Sequence, residues 1–126
     1  MIFSTLGSAT FGEIAGSLSG TRRAKGSIET SLSSDGSTLT IKILGRFDFS
    51  LHETLQKAYE AHGKLGMTFI IDLYTTDYMD SSALGMLLLM RENLGGYRSD
   101  IRLAGGSEQI RKTLRIAHFN QLFTES

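Results

Sequence analysis

Residues 67–93 read MTFIIDLYTTDYMDSSALGMLLLMREN, and three kinds of segment follow one another in them. MTFIIDL (67–73) is a nearly continuous apolar run of strand length. Such runs are typical of strands covered on both faces, which predicts a central, parallel strand here. TTDYMD (75–80) is a polar loop. SSALGMLLLMREN (81–93) reads as a helix, closed by Gly95 and Gly96. Asp80, Ser81 and Ser82 stand where a helix leaves its first backbone N–H groups unpaired, and acidic and hydroxyl side chains cap there.

Toward the N-terminus, SIETSLS (27–33) reads as a strand, and Ser34, Asp35 and Gly36 form a turn signal. Leu39, Ile41 and Ile43 then alternate with Thr38, Thr40 and Lys42, the period of a half-buried strand. The two strands predict a hairpin. Ser50, with Glu53 three residues later, predicts a helix start. Leu51, Leu55, Ala58, Tyr59, His62 and Leu65 follow at helical spacing, with Gly63 or Gly66 as the stop. Toward the C-terminus, Ile101 and Leu103 mark a short strand. Ser107, Ile110, Leu114 and Ala117 mark a helix, and Phe119, Leu122 and Phe123 a last strand or turn. The order β-β-α-β-α-β-α implies an α/β fold. It predicts a mixed, mostly parallel sheet of four to five strands with an N-terminal β-hairpin, its helices packed on the sheet through right-handed crossovers. Function is expected at the carboxyl ends of the strands, in the loops 45–50 and 74–82.

The chain has 126 residues, 13 basic and 13 acidic side chains, and no cysteine. That size predicts one domain over residues 27–126. Balanced charge predicts no bulk attraction to nucleic acid or anionic lipid. The missing cysteines exclude disulfides, thiolate metal sites and a cysteine nucleophile, and no cofactor motif is present. The longest apolar run, Met86 to Met90, is five residues. That is far short of the roughly 20 a membrane helix needs, so no direct membrane insertion is expected. Residues 1–20 carry no basic side chain, and no secretory signal is recognisable there, which makes the cytoplasm the expected location. Residues 1–26 are rich in Ser and Gly and predict a flexible tail, with a docking helix (Phe11, Ile14, Ala15, Leu18) or a cloning remnant as the alternatives.

Ser81 can be read in two ways. It can be part of a plain cap, or it can be a hydroxyl held exposed at a helix start, where a phosphate would meet like charge from Asp80 and Asp48. Met86 to Met90 are apolar on more than one face. The helix is therefore either sandwiched inside the domain or part of a docking surface beside Ser81, with Met86 and Met90 suited to adaptable contact. A Ser-His-Asp hydrolase is disfavoured, because Ser81 has no evident histidine partner except His52 and no Gly-x-Ser-x-Gly elbow exists. His62 reads as a partly buried packing residue and His118 as a helix-end residue. Ala104 to Ser107 precede a helix without the Walker lysine, and Arg111, Lys112 and Arg115 read as a solvated basic face.

MDSSALGMLLLMRE (79–92) resembles the signature of STAS domains of the bacterial anti-sigma factor antagonist type. Gly45-Arg46-Phe47-Asp48 resembles that family's Gly-x-hydrophobic-Asp element, and IRLAG (101–105) resembles its last strand. The resemblance covers about residues 27–124. It implies the STAS fold, with Ser81 as phosphoacceptor, Asp80 as its acidic neighbour, Asp48 as the nearby loop carboxylate, and Ser82 as a capping hydroxyl. Ala83 stands where many members have Gly. It further implies partner switching without catalysis. The unphosphorylated form binds an anti-sigma factor, often also its serine kinase, and frees a sigma factor. Phosphorylation of Ser81 disfavours binding, and a PP2C-type phosphatase resets the switch. The resemblance is closest to members wired to response regulators that govern motility, biofilm or stress. STAS domains also serve, without phosphorylation, as accessory subunits of lipid ABC transport complexes, which is the alternative reading.

Overall fold

The computed structural model describes residues 26–62 and 66–125. The tail predicted before residue 26, and Gly63 and Leu65 at the end of the first predicted helix, lie outside them. Among the described residues, no helix is long and apolar enough to cross a membrane.

Strands β1 (Ser27–Leu32) and β2 (Thr38–Phe47) form the predicted antiparallel hairpin, with Ile28 opposite Ile43 and Leu32 opposite Leu39. Its turn is organised by Asp35, whose carboxylate accepts from the Ser33 hydroxyl at 2.7 Å, the Ser37 amide at 3.0 Å and the Ser37 hydroxyl at 2.8 Å. These bonds, the Ser33 hydroxyl foremost, pull the Asp35 carboxyl down to about 2. Gly36 follows at φ 75°, the left-handed region that glycine enters without strain. Gly26, which composition places in the tail, is pressed against β2. A Cβ on it would stand 1.9 Å from the Arg46 carbonyl oxygen.

Helix α1 (His52–His62) leads to β3 (Thr68–Asp72), β4 (Thr76–Met79), α2 (Ser81–Asn93), β5 (Asp100–Ala104), α3 (Glu108–Ile116) and β6 (Thr124–Glu125). The strand order is β1-β2-β3-β5-β6, with β4 paired to β2, so most of the segment read as a loop (75–80) is a short strand, and every pairing after the hairpin is parallel. Strand β3 is central, as its apolar run predicts, but only one of its faces is fully covered. Phe69 and Ile71 are buried, whereas Thr68, Ile70 and Asp72 are partly exposed. The register explains the difference. Ile70 lies between Thr40 of β2 and Arg102 of β5, and Asp72 lies next to Lys42, so Ile70 is an apolar residue with polar neighbours on both adjacent strands.

The helices cover the opposite face. Leu39, Ile41, Ile43, Phe69, Ile71, Ile101 and Leu103 from the strands form one cluster with Leu55 and Tyr59 of α1, Ala83, Met86, Leu87 and Met90 of α2, and Ile110 and Leu114 of α3. Burial of that apolar area is the main force holding helices to sheet. Tyr59 and Asn93 add a hydrogen bond of 2.9 Å between α1 and α2. His62 is exposed and so is not the packing residue its spacing suggests. His118 follows α3 in the left-handed region at φ 61°, its amide donating to the Arg115 carbonyl. Arg111, Lys112 and Arg115 are exposed, a solvated face as predicted.

Candidate functional site

The carboxyl ends of β2 and β4 run side by side. Phe47 pairs with Met79, so Asp48 and Asp80 follow at adjacent strand ends. A register shift falls between Gly45, opposite Thr76, and Arg46, opposite Tyr78. Bulges of this kind re-aim side chains at the end of a ladder, and here the shift places Arg46 next to Tyr78. The Arg46 guanidinium carbon lies 3.9 Å from the Tyr78 ring centroid, a cation–π contact. Its Nε donates to Asp48 Oδ2 at 2.6 Å.

Each aspartate then starts a helical segment in the same way. Asp48 Oδ1 accepts from the Ser50 amide at 3.0 Å and the Ser50 hydroxyl at 2.6 Å, capping a 3₁₀ turn over Phe49–Leu51 that runs into α1. The cap is therefore Asp48 and not Ser50, which sequence pattern suggests. The intervening 3₁₀ turn moves the start of the helical path two residues earlier. Asp80 Oδ1 accepts from the Ser82 amide at 3.0 Å, the Ser82 hydroxyl at 2.5 Å and the Ala83 amide at 3.3 Å, and caps α2. Its Oδ2 accepts from the Tyr78 hydroxyl at 3.3 Å.

In both Asp-x-Ser caps the third residue folds back onto the carboxylate, and the middle residue is left facing water. Those middle residues are Phe49, 63% exposed, and Ser81. Among the described residues the Ser81 hydroxyl makes no hydrogen bond, whereas Ser82 is committed to Asp80.

Both carboxyls are held below their ordinary range and are ionised near neutral pH. At Asp80 the Ser82 hydroxyl is the largest cause, against the penalty of partial burial. At Asp48 the Ser50 hydroxyl leads, followed by Arg46. Asp48 in turn raises the Arg46 guanidinium. His52 stacks on the Phe49 ring at 4.9 Å and makes no bond to Ser81, so no Ser-His pair is formed. Among the described residues no group of three or more His, Asp or Glu side chains could hold a metal ion.

Helix α2 resolves the question raised by its apolar run. Met86 and Met90 are 5% and 0% exposed, in the core with Ala83 and Leu87 at helical spacing. Neither methionine is placed to meet a partner. The apolar residues that look outward are Leu88 and Leu89, 39% and 42% exposed. Tyr74, just after β3, and Tyr78, near the end of β4, add exposed aromatic surface at the carboxyl ends of the strands. Arg46, Tyr78 and Phe49 were not singled out from the sequence. The signal was the strand period: Arg46 and Asp48, like Tyr78 and Asp80, are two residues apart and fall on one side of an extended chain.

Comparison with known proteins places this geometry in context. The family model described as "Mlab, STAS domain" matches residues 30–124. A STAS-domain containing protein of Pseudomonas aeruginosa (strain UCBPP-PA14) is 48% identical over 91 residues, 72% of this chain and 90% of that relative. The solved structure of the anti-sigma factor antagonist SpoIIAA in its unphosphorylated form superposes with a TM-score of 0.55 at 19% identity, over 71% of this chain and 83% of that one. An uncharacterised protein of Shewanella loihica PV-4 with a SpoIIAA-like fold superposes with a TM-score of 0.52 at 17% identity, over 86% and 90%.

Proposed function

The chain belongs to the STAS domain family, and from that premise we propose that it is an anti-sigma factor antagonist that works by partner switching. The observation that carries this reading is the state of Ser81, an exposed hydroxyl without an internal partner, next to an ionised Asp80. A kinase can reach such a hydroxyl without opening the core. Phosphorylation would add about −1.5 to −2 charges to an edge that already carries Asp48 and Asp80. The unphosphorylated surface, with Ser81 and Phe49 exposed at the two capped starts and Leu88 and Leu89 exposed farther along α2, binds an anti-sigma factor or its serine kinase. Phosphate disfavours that docking through charge and desolvation, while the capped helix and the core stay as they are. A PP2C-type phosphatase reverses the step. The protein is a substrate and a binder, not a catalyst, and it acts in the cytoplasm.

Affinity capture with Ser81→Ala and Ser81→Glu, side by side, tests this. Ser81→Ala is expected to retain an anti-sigma factor or kinase and Ser81→Glu to lose it. Equal capture by both variants would refute the switch.

A second reading draws on Leu88 and Leu89, which are exposed whatever the state of Ser81. A permanent docking face suits an accessory subunit of a lipid ABC transport complex. Co-purification of an ATPase subunit, indifferent to both Ser81 variants, would favour it.

A further inference from the structure

We propose that Arg46 is the residue that receives the phosphate on Ser81, forming a charge-assisted pair between its open terminal nitrogens and the phosphate oxygens while Nε stays on Asp48. This rests on Ser81 being the phosphoacceptor.

Three observations lead to it. The first is position. The register shift after Gly45 sets Arg46 opposite Tyr78, its guanidinium 3.9 Å from the ring centroid, and the Tyr78 hydroxyl in turn bonds Asp80, the residue before Ser81. A cation thus lies against the segment that presents the hydroxyl. The second is donor capacity. Asp48 occupies only Nε, and among the described residues the two terminal nitrogens of Arg46 have no acceptor. Its side chain is 39% exposed, so the fork is open to an incoming anion. The third is the state of the helix start. The Ser82 and Ala83 amides that could hold a phosphate are already bonded to Asp80. Those two amides are closed to a phosphate on Ser81, whereas the Arg46 fork is open, and a planar guanidinium fits phosphate oxygens in a way an ammonium does not.

The pairing gives the modification a reach beyond Ser81. Asp48 would share its arginine with the phosphate while keeping the Ser50 bonds. Phosphorylation would then change the docking edge at both strand ends at once.

The test installs phosphoserine directly at position 81 by genetic encoding, so that no kinase or partner is needed. The second ionisation of the phosphate is followed by ³¹P NMR in the parent protein, in Arg46→Gln and in Arg46→Lys. The parent phosphate is expected to titrate about one pH unit below that of Arg46→Gln, the size of shift an opposite charge at close range produces, with Arg46→Lys between them. Superimposed titrations would overturn the proposal. A second readout uses no variant: the Arg46 Nε–H resonance should move between the unmodified and phosphoserine forms of the parent protein, and an unmoved resonance would equally overturn it. Loss of the switch itself is a separate result. Unchanged partner binding by the phosphoserine form would undo the reading of Ser81 while leaving the Arg46 pairing measured.

Discussion

Replacing Asp80 by alanine removes one oxygen that serves three donors, the Ser82 amide, the Ser82 hydroxyl and the Ala83 amide. Deleting an N-cap side chain costs about 1 kcal/mol and up to about 2. Asp80 and Ser82 are partly exposed, so water recovers some of the loss, and about 1–1.5 kcal/mol is expected for Asp80→Ala. Asp80→Asn keeps an acceptor and removes only the charge at the helix start, about 0.3–1 kcal/mol. In urea, with a slope of about 1.5 kcal/mol per M, the alanine variant should unfold up to about 1 M earlier than the parent and the asparagine variant about half as much. The pH dependence has a definite sign. The folded Asp80 carboxyl is held below its ordinary value of 3.8, chiefly by the Ser82 hydroxyl. Its contribution is therefore complete above the unfolded pKa and is lost as pH falls through the lower, folded one. The gap between parent and Asp80→Asn should close in that acid window and stay constant from pH 5 to 8. Equal costs for the two variants, or a gap that persists once Asp80 is protonated, would show that the carboxylate does not hold the start of α2 as described.

Four further substitutions probe the fold. Gly26→Ala drives a Cβ into the Arg46 backbone and should destabilise by about 1–3 kcal/mol, read as a lower melting temperature; a neutral result would place residue 26 outside the folded unit. His118→Gly relieves a left-handed backbone and should stabilise by up to about 1 kcal/mol, measured by denaturant unfolding. Leu87→Ala, at a fully buried position, should cost about 2–5 kcal/mol. Leu88→Ala should cost less than about 0.5 kcal/mol yet weaken partner capture, and the reverse order would show that the helix faces are misassigned.

Periodicity made most of the fold legible. The alternation of Leu39, Ile41 and Ile43, and the helical spacing of Ile110 and Leu114, each report one buried face, and those faces are where the core lies. It failed where a run is apolar for two different reasons. In MTFIIDL, Phe69 and Ile71 are apolar because they face helices, whereas Ile70 is apolar on a face otherwise lined by Thr40 and Arg102. In Met86 to Met90, four-residue spacing assigns both methionines to the core and leaves two leucines outside, which no residue-type preference foretells. Capping chemistry located Asp80, Ser81 and Ser82, because a helix start needs such side chains. It could not locate the Arg46–Tyr78 contact, since that depends on pairing between residues 32 positions apart and on a one-residue register shift. Gly26 was illegible for a related reason: its constraint comes from a neighbouring backbone, and nothing in its own flanks records that.

The most direct measurement is the dissociation constant of the captured partner for the unmodified protein and for the protein carrying phosphoserine at position 81. The account predicts binding at least about tenfold weaker with the phosphate, a loss of about 1.4 kcal/mol or more, with the melting temperatures of the two forms close together. Equal affinities would contradict it.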